Sequence, residues 1–225
     1  MALIRVLVAD DHELVRCGLV HMLADSNGIE VVGEACSGEE VLSFCRENSV
    51  DIVLMDIRMP GIGGLEATRR LHGSCPQSRV IALSALDDAV HSRKILEAGA
   101  WGYLTRGGDF QEMVQAVQTV YAGRRYICPN IAQEMAVQSF SQSENPFVNL
   151  SPQEFQVAMM VIDCFKTSQI AEQMKIETKT VNSYRYRIFD KLGVTNDVGL
   201  TRLAIQYGLV DVGPSQKKGP IEVVS

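Results

Sequence analysis

Over residues 1–122 the chain alternates short apolar runs with segments of helical period. Apolar runs such as Ile4-Arg5-Val6-Leu7-Val8-Ala9 and Ile52-Val53-Leu54-Met55, bounded by Gly, Pro, Asp or Ser, have the pattern of buried parallel strands. The pattern predicts strands at about 4–9, 30–34, 52–56, 79–84 and 102–104. Periodic stretches at about 13–24, 38–47, 64–72, 89–98 and 109–122 supply the helical crossovers. Pro60-Gly61 and Gly63-Gly64 mark a loop after the third strand.

Five strands and five helices in this order predict an α/β, flavodoxin-like (βα)5 domain over 1–122. Residues 123–149 read as a linker with some helix around 130–139, ending in the turn-rich string SQSENP. Ser151-Pro152-Gln153-Glu154 then carries the signature of a capping box with proline at the first helical position. Three more helices follow at about 167–174, 179–192 and 197–207, and Thr178 is the expected N-cap of the middle one. A four-residue turn, Lys175 to Thr178, between two short helices is a helix-turn-helix pattern. The second domain is therefore a smaller all-α four-helix unit over 150–212. The aperiodic tail 213–225 is expected to be disordered.

Composition narrows the function classes. No run of 18 apolar residues exists and the N-terminus lacks a signal-peptide pattern, so a cytoplasmic protein with no membrane partner is expected. The six cysteines form no C-x-x-C pair, which argues against a zinc site or disulfide framework and fits a reducing compartment. Residues 1–122 have a net charge of −7, whereas 147–212 are neutral. Only the second half could present a nucleic-acid face, by focusing its cations on one surface.

Four of the strands end in polar groups: Asp10 and Asp11 after the first, Asp56 at the third, Ser84 at the fourth and Arg106 after the fifth. Ligands of open parallel sheets bind at those ends. Taken singly, each residue has an ordinary role, as a helix cap or a turn. Together they suit a hard cation with oxygen ligands, Mg²⁺ above all, and a phosphoryl group beside it. Asp56, on the central strand, is the expected nucleophile. Asp11 is expected to ligate the cation directly and Asp10 through water, with Ser84 donating to one phosphoryl oxygen and Arg106 pairing with another.

The segments VLVADDHELVR, DIVLMDIRMPGIGGLEA, VIALSAL and GAWGYLTRGG resemble a two-component receiver domain. That resemblance implies that Asp56 is the phosphoacceptor, Asp10 and Asp11 the acidic pair, and the carbonyl of Arg58 a further Mg²⁺ ligand. It also implies that Ser84 is the switch hydroxyl and Tyr103 the switch aromatic. The chain departs from the pattern at Arg106, where receivers carry lysine; a guanidinium is larger and planar.

On the third helix of the second half, Val181, Arg185, Ile188 and Leu192 share one stripe at 100° per residue. Lys179, Ser183, Tyr186, Arg187 and Asp190 lie opposite, with Asn182 on the flank and Tyr184 and Lys191 at the margins. Such a polar face suits a recognition helix in a major groove, with cations holding phosphates or reading guanine and Asn reading adenine. Arg185, on the inner side, is expected to find an internal acidic partner. The segment from SPQEF to KLGV resembles a LuxR/NarL-type DNA-binding domain. EMVQAVQTVYAGRRYICPNIAQ and KTVNSYRYRIFDKL resemble the GacA/UvrY/LetA branch. That resemblance implies a sensor histidine kinase of the GacS/BarA type as partner and transcription of small regulatory RNAs.

The combined expectation is a response regulator, not an enzyme, phosphorylated on Asp56 with Mg²⁺ and binding double-stranded promoter DNA as a homodimer. Two alternatives stand beside it. One is a DNA-binding protein that uses its first domain only to dimerise. The other is an aspartate-nucleophile phosphohydrolase, weakened because no second carboxylate stands two residues after Asp56 and no capping domain is evident.

Overall fold

The computed structural model describes residues 3–84, 89–140 and 145–210. The tail expected to be disordered and part of the SQSENP string lie outside them. The first half is a parallel sheet of β1 (Ile4–Ala9), β2 (Ile29–Ala35), β3 (Ile52–Asp56), β4 (Arg79–Ser84), β5 (Gly102–Thr105) and β6 (Tyr126–Ile127), in the order β2-β1-β3-β4-β5-β6. Helices α1 (Glu13–Ala24), α2 (Gly38–Glu47), α3 (Gly63–Ser74), α4 (Ala89–Glu97) and α5 (Phe110–Tyr121) form the crossovers.

Every residue of β3 is buried, as a strand covered on both faces requires. The register sets the strand ends side by side: Ala9 pairs with Met55, Asp56 with Leu83, and Ser84 with Thr105. The acidic, hydroxyl and cationic residues thus reach one edge. Gly64 permits the close return of α3 onto that edge, because a Cβ there would collide with the carbonyl oxygen of Asp56.

The five expected strands are present, and β6 is an addition. It lies within the stretch read as a linker, and the sheet registers it through Gly102 and Tyr103. The chain then turns into α6 (Pro129–Phe140), with Cys128 and Ile131 buried against the same core. A two-residue strand has too short a pattern to stand out in sequence.

The second half comprises a 3₁₀ turn (Pro146–Asn149), α7 (Pro152–Ile162), α8 (Thr167–Met174), α9 (Thr178–Leu192) and α10 (Asp197–Gln206). The capping box forms as read: Glu154 N–H donates to Ser151 Oγ at 3.3 Å, and Ser151 N–H donates to Glu154 Oε2 at 2.8 Å. Phe147, Phe155, Ala158, Ile170, Val181, Ile188 and Leu200 fill the core between the helices. The start of α9 differs from expectation. Glu177 occupies the N-cap position without a side-chain bond, and Thr178 is the first helical residue. The turn before it is made by Lys175 in the left-handed region, φ 54°, a conformation that sequence signals assign to Gly or Asn.

Candidate phosphoacceptor site and nucleic-acid interface

At the carboxyl edge of the sheet Asp10 and Asp56 are buried, while Asp11 is exposed. Between the two buried carboxylates lies Arg106, whose Nη2 is 2.7 Å from Asp10 Oδ2 and 2.7 Å from Asp56 Oδ2. Its N–H directions do not align with those oxygens, so both buried oxygens lack a hydrogen bond although each has an ionic partner. This is the geometry of one planar guanidinium asked to serve two acids at once. Burial pushes the Asp56 carboxyl up to about 6; the Arg106 charge opposes this and Asp10 adds to it. A backbone N–H bond from Arg58 also favours the charged form.

The donor set fits a hard divalent cation. It is made of carboxylate oxygens, two of them buried and not hydrogen-bonded, with mutual repulsion that a cation would relieve. The donor atoms within 4.8 Å of one another, among the described residues, belong to Asp10, Asp11 and His12. Asp56 joins this group through Arg106. His12 is a site neighbour that the sequence pattern does not single out. Its Nδ1 lies 2.9 Å from Asp11 Oδ1 and its backbone N–H donates to Asp10 Oδ1 at 2.9 Å. The only signal in the sequence was its place directly after the acidic pair.

Ser84 is buried at the end of β4, and Tyr103 is wholly buried in β5. Ser84 and Arg106 share a cleft with Thr105, Gly107 and Gly108. The Arg58 side chain turns away from the acids, with Nη1 3.1 Å from Asp163 Oδ2 in the second half of the chain. The structure thus brings Asp10, Asp11, Asp56, Ser84 and Arg106 to one edge and sets Tyr103 in the strand beside it.

On α9 the inner stripe is Val181, Ile188 and Leu192, all buried. Arg185 has the internal partner expected of it: Nη2 donates to Asp197 Oδ1 and Oδ2 at 2.6 and 2.7 Å, and Nη1 to Thr167 Oγ1 at 3.0 Å. Lys179, Asn182, Ser183, Tyr186 and Arg187 are exposed on the opposite face, Tyr186 at 75%. Ser183 Oγ donates to the Lys179 carbonyl at 3.0 Å, which occupies its proton but leaves its oxygen as an acceptor. Tyr184 is half-buried. Lys191 differs from the rest. Its Nζ lies 2.6 Å from Oε2 of the buried Glu154, so it neutralises the capping box of α7. Burial would raise the Glu154 carboxyl, but Lys191 and Ser151 hold it below the ordinary range. Helical spacing alone could not distinguish this inward partner from a phosphate.

Residues 6–118 match the response regulator receiver domain, and residues 148–204 match the luxR family of bacterial regulatory proteins. The chain is 49% identical over 211 residues to the response regulator GacA of Pseudomonas aeruginosa, covering 93% of this chain and 99% of that protein. It is 48% identical over 209 residues to the response regulator UvrY of Escherichia coli K12, covering 92% of this chain and 96% of that one. The response regulator ChrA of a heme-sensing two-component system shares the architecture with a TM-score of 0.53 at 29% identity, over 93% of this chain and 100% of ChrA. The RcsB response regulator of Salmonella typhimurium superposes with a TM-score of 0.71 at 21% identity, over 92% of this chain and 99% of RcsB, a likeness of fold. With a receiver sheet, a helix-turn-helix domain and relatives that match nearly end to end, this chain belongs to the LuxR family of two-component response regulators, in its GacA/UvrY branch.

Proposed function

We propose that Asp56 accepts a phosphoryl group from a sensor histidine kinase of the GacS/BarA type, and that the acyl phosphate changes how the chain pairs on promoter DNA. The observation that carries this reading is Asp56 itself: a buried carboxylate at the end of the central strand, 2.7 Å from a cation it shares with Asp10. A carboxylate oxygen of Asp56 attacks phosphorus as the bond from phosphorus to the donor's imidazole nitrogen breaks. Asp11, Asp56 and the Arg58 carbonyl, with Asp10 through water, would hold Mg²⁺, which would supply charge neutralisation on the transferred oxygens. Arg106 pairs with one phosphoryl oxygen and the Ser84 hydroxyl donates to another. Tyr103 in β5 then repacks with Ser84 to report the change.

In the second half, Lys179 and Arg187 hold phosphates, Asn182 and Ser183 reach base edges, and Tyr186 packs against the groove. Tyr184 reaches the backbone from the margin. Lys191, committed to Glu154 in this arrangement, contacts DNA only by leaving that pair. RcsB, a neighbour in fold, has been captured on DNA as dimers. We assign the active form as a homodimer on promoters of small regulatory RNA genes, acting in the cytoplasm.

A gel-shift titration on such a promoter, with and without acetyl phosphate and Mg²⁺, tests the reading. Tighter binding after phosphodonor treatment, absent in Asp56→Asn, is expected. Equal affinity under all conditions would favour the second reading, a regulator that binds DNA without phosphorylation. One observation speaks for that alternative: Arg106 already ties Asp10 to Asp56.

A further inference from the structure

The loop that follows Asp56 is also where the two halves of the chain meet. Arg58 Nη1 is 3.1 Å from Asp163 Oδ2. The Gly61 N–H donates to the Gln173 carbonyl at 2.6 Å, and Gln156 Nε2 donates to the Gly61 carbonyl at 3.4 Å. The partners lie on α7, at the corner between α7 and α8, and at the end of α8; none is on α9. The side chains of Lys179, Asn182, Ser183, Tyr186 and Arg187 stay exposed. Docking therefore grips the phosphoacceptor loop and leaves the outer face of α9 uncovered.

At this corner the seam is held lightly. A cavity of about 350 Å³ lies beneath these contacts, reaching Asp11 and His12 on one side and Met159, Phe155 and Asp163 on the other. The Arg58 and Asp163 side chains are 46% and 37% exposed, so their ion pair is weak and reversible. Arg58 is also the one Arg or Lys among the residues that line the cavity.

We propose that Arg58 is a switch residue, whose guanidinium holds Asp163 while Asp56 is a free carboxylate and moves to the phosphoryl oxygens once Asp56 is phosphorylated, releasing the α7–α8 corner. The inference rests on the reading of Asp56 as phosphoacceptor. Arg58 stands two residues from the acceptor, on the loop whose backbone already bonds to it. A phosphoryl group there brings roughly −1.5 to −2 charges and three acceptor oxygens, which a guanidinium grips in bidentate fashion. Against one half-exposed carboxylate it is the stronger partner. Arg106, already beside Asp10 and Asp56, serves one phosphoryl oxygen, and Arg58 answers the remaining charge by exchanging Asp163 for another. Once Asp163 is released, the corner keeps the Gly61 bonds to Gln173 and Gln156, while Lys94 still holds the carbonyls of Val148 and Leu150.

Hydrogen–deuterium exchange on the full chain tests this, with beryllium fluoride and Mg²⁺ standing in for the phosphoryl group and fluorine NMR reporting its uptake. Loading should speed exchange at the Gly61 amide and across 159–175 by at least about five-fold. Asp163→Asn should exchange at the fast rate before loading and gain nothing from it. The charge-swapped double variant Arg58→Glu with Asp163→Arg should stay protected after loading, because a glutamate is repelled by the bound fluoride. Loading that leaves Gly61 protected in the wild type, or an Asp163→Asn protein protected like the wild type, overturns the switch alone. A wild-type chain that takes up no beryllium fluoride overturns the phosphoacceptor reading and the switch with it.

Discussion

Arg106 is the residue at which this receiver departs from the lysine pattern, and its geometry has consequences. One guanidinium nitrogen sits 2.7 Å from both Asp10 and Asp56 without aligned hydrogen bonds to either. A lysine ammonium is compact and turns its three protons freely, so Arg106→Lys should bond both acids and respond more sharply when one is phosphorylated. The expected result is a larger gain in dimerisation and DNA affinity on phosphodonor treatment than in the wild type. Sedimentation and gel shift on both proteins check it, and equal gains would make the substitution silent. The residues at the strand ends were legible because each closes an apolar run. The role of Lys191 was not, since it depends on a partner brought in by the fold, Glu154 of α7, and that of His12 was not, since adjacency to Asp11 alone does not turn its ring toward the carboxylate.

Among the elements, α9 divides its labour between faces. Arg185 points inward to Asp197 and Thr167, whereas Tyr186 and Arg187 point out. Arg185→Ala should therefore cost about 1 kcal/mol of stability, the pair being partly exposed, and weaken DNA binding only through the fold. Thermal unfolding with and without DNA separates these. Arg187→Ala should instead weaken binding to all sequences and reduce its salt dependence, as loss of a phosphate contact does. Tyr186→Ala should mainly erode preference for the cognate site. Equal losses on specific and unrelated DNA in both variants would contradict the distinction. Helix periodicity carried this far because α9 has a buried stripe of Val181, Ile188 and Leu192. It could not place the start of the helix, where Lys175 takes a left-handed turn without glycine, nor find β6, whose two residues have no period of their own.

Across the whole molecule, Lys94 of α4 joins the halves. Its Nζ donates to the carbonyls of Val148 and Leu150, at 3.1 and 2.6 Å, and lies 5.1 Å from the Phe155 ring centre. Burial drives this amine down to about 8, with Glu97 and Glu154 opposing and Lys191 reinforcing the shift. A depressed folded value means stability present above the unfolded value of 10.5 and lost as pH falls through about 8. Relative to Lys94→Met, the wild type should gain about 2–3 kcal/mol between pH 8 and pH 10.5, read by denaturant unfolding at several pH values. A constant difference would show the amine to be solvated. Both domains and their order were legible from the chain, but this junction was not, because an interface carries no periodicity and Lys94 reads in sequence as a surface residue.

All of this turns on one carboxylate. Asp56 stands at the end of a wholly buried strand, with burial raising it to about 6 and a shared cation holding it in place. Intact-mass spectrometry of the full chain after acetyl phosphate and Mg²⁺ asks directly whether it is the acceptor. The account predicts one phosphoryl addition to the wild type and none to Asp56→Asn, with the variant's fold unchanged by circular dichroism. Undiminished phosphoryl incorporation in Asp56→Asn would contradict it.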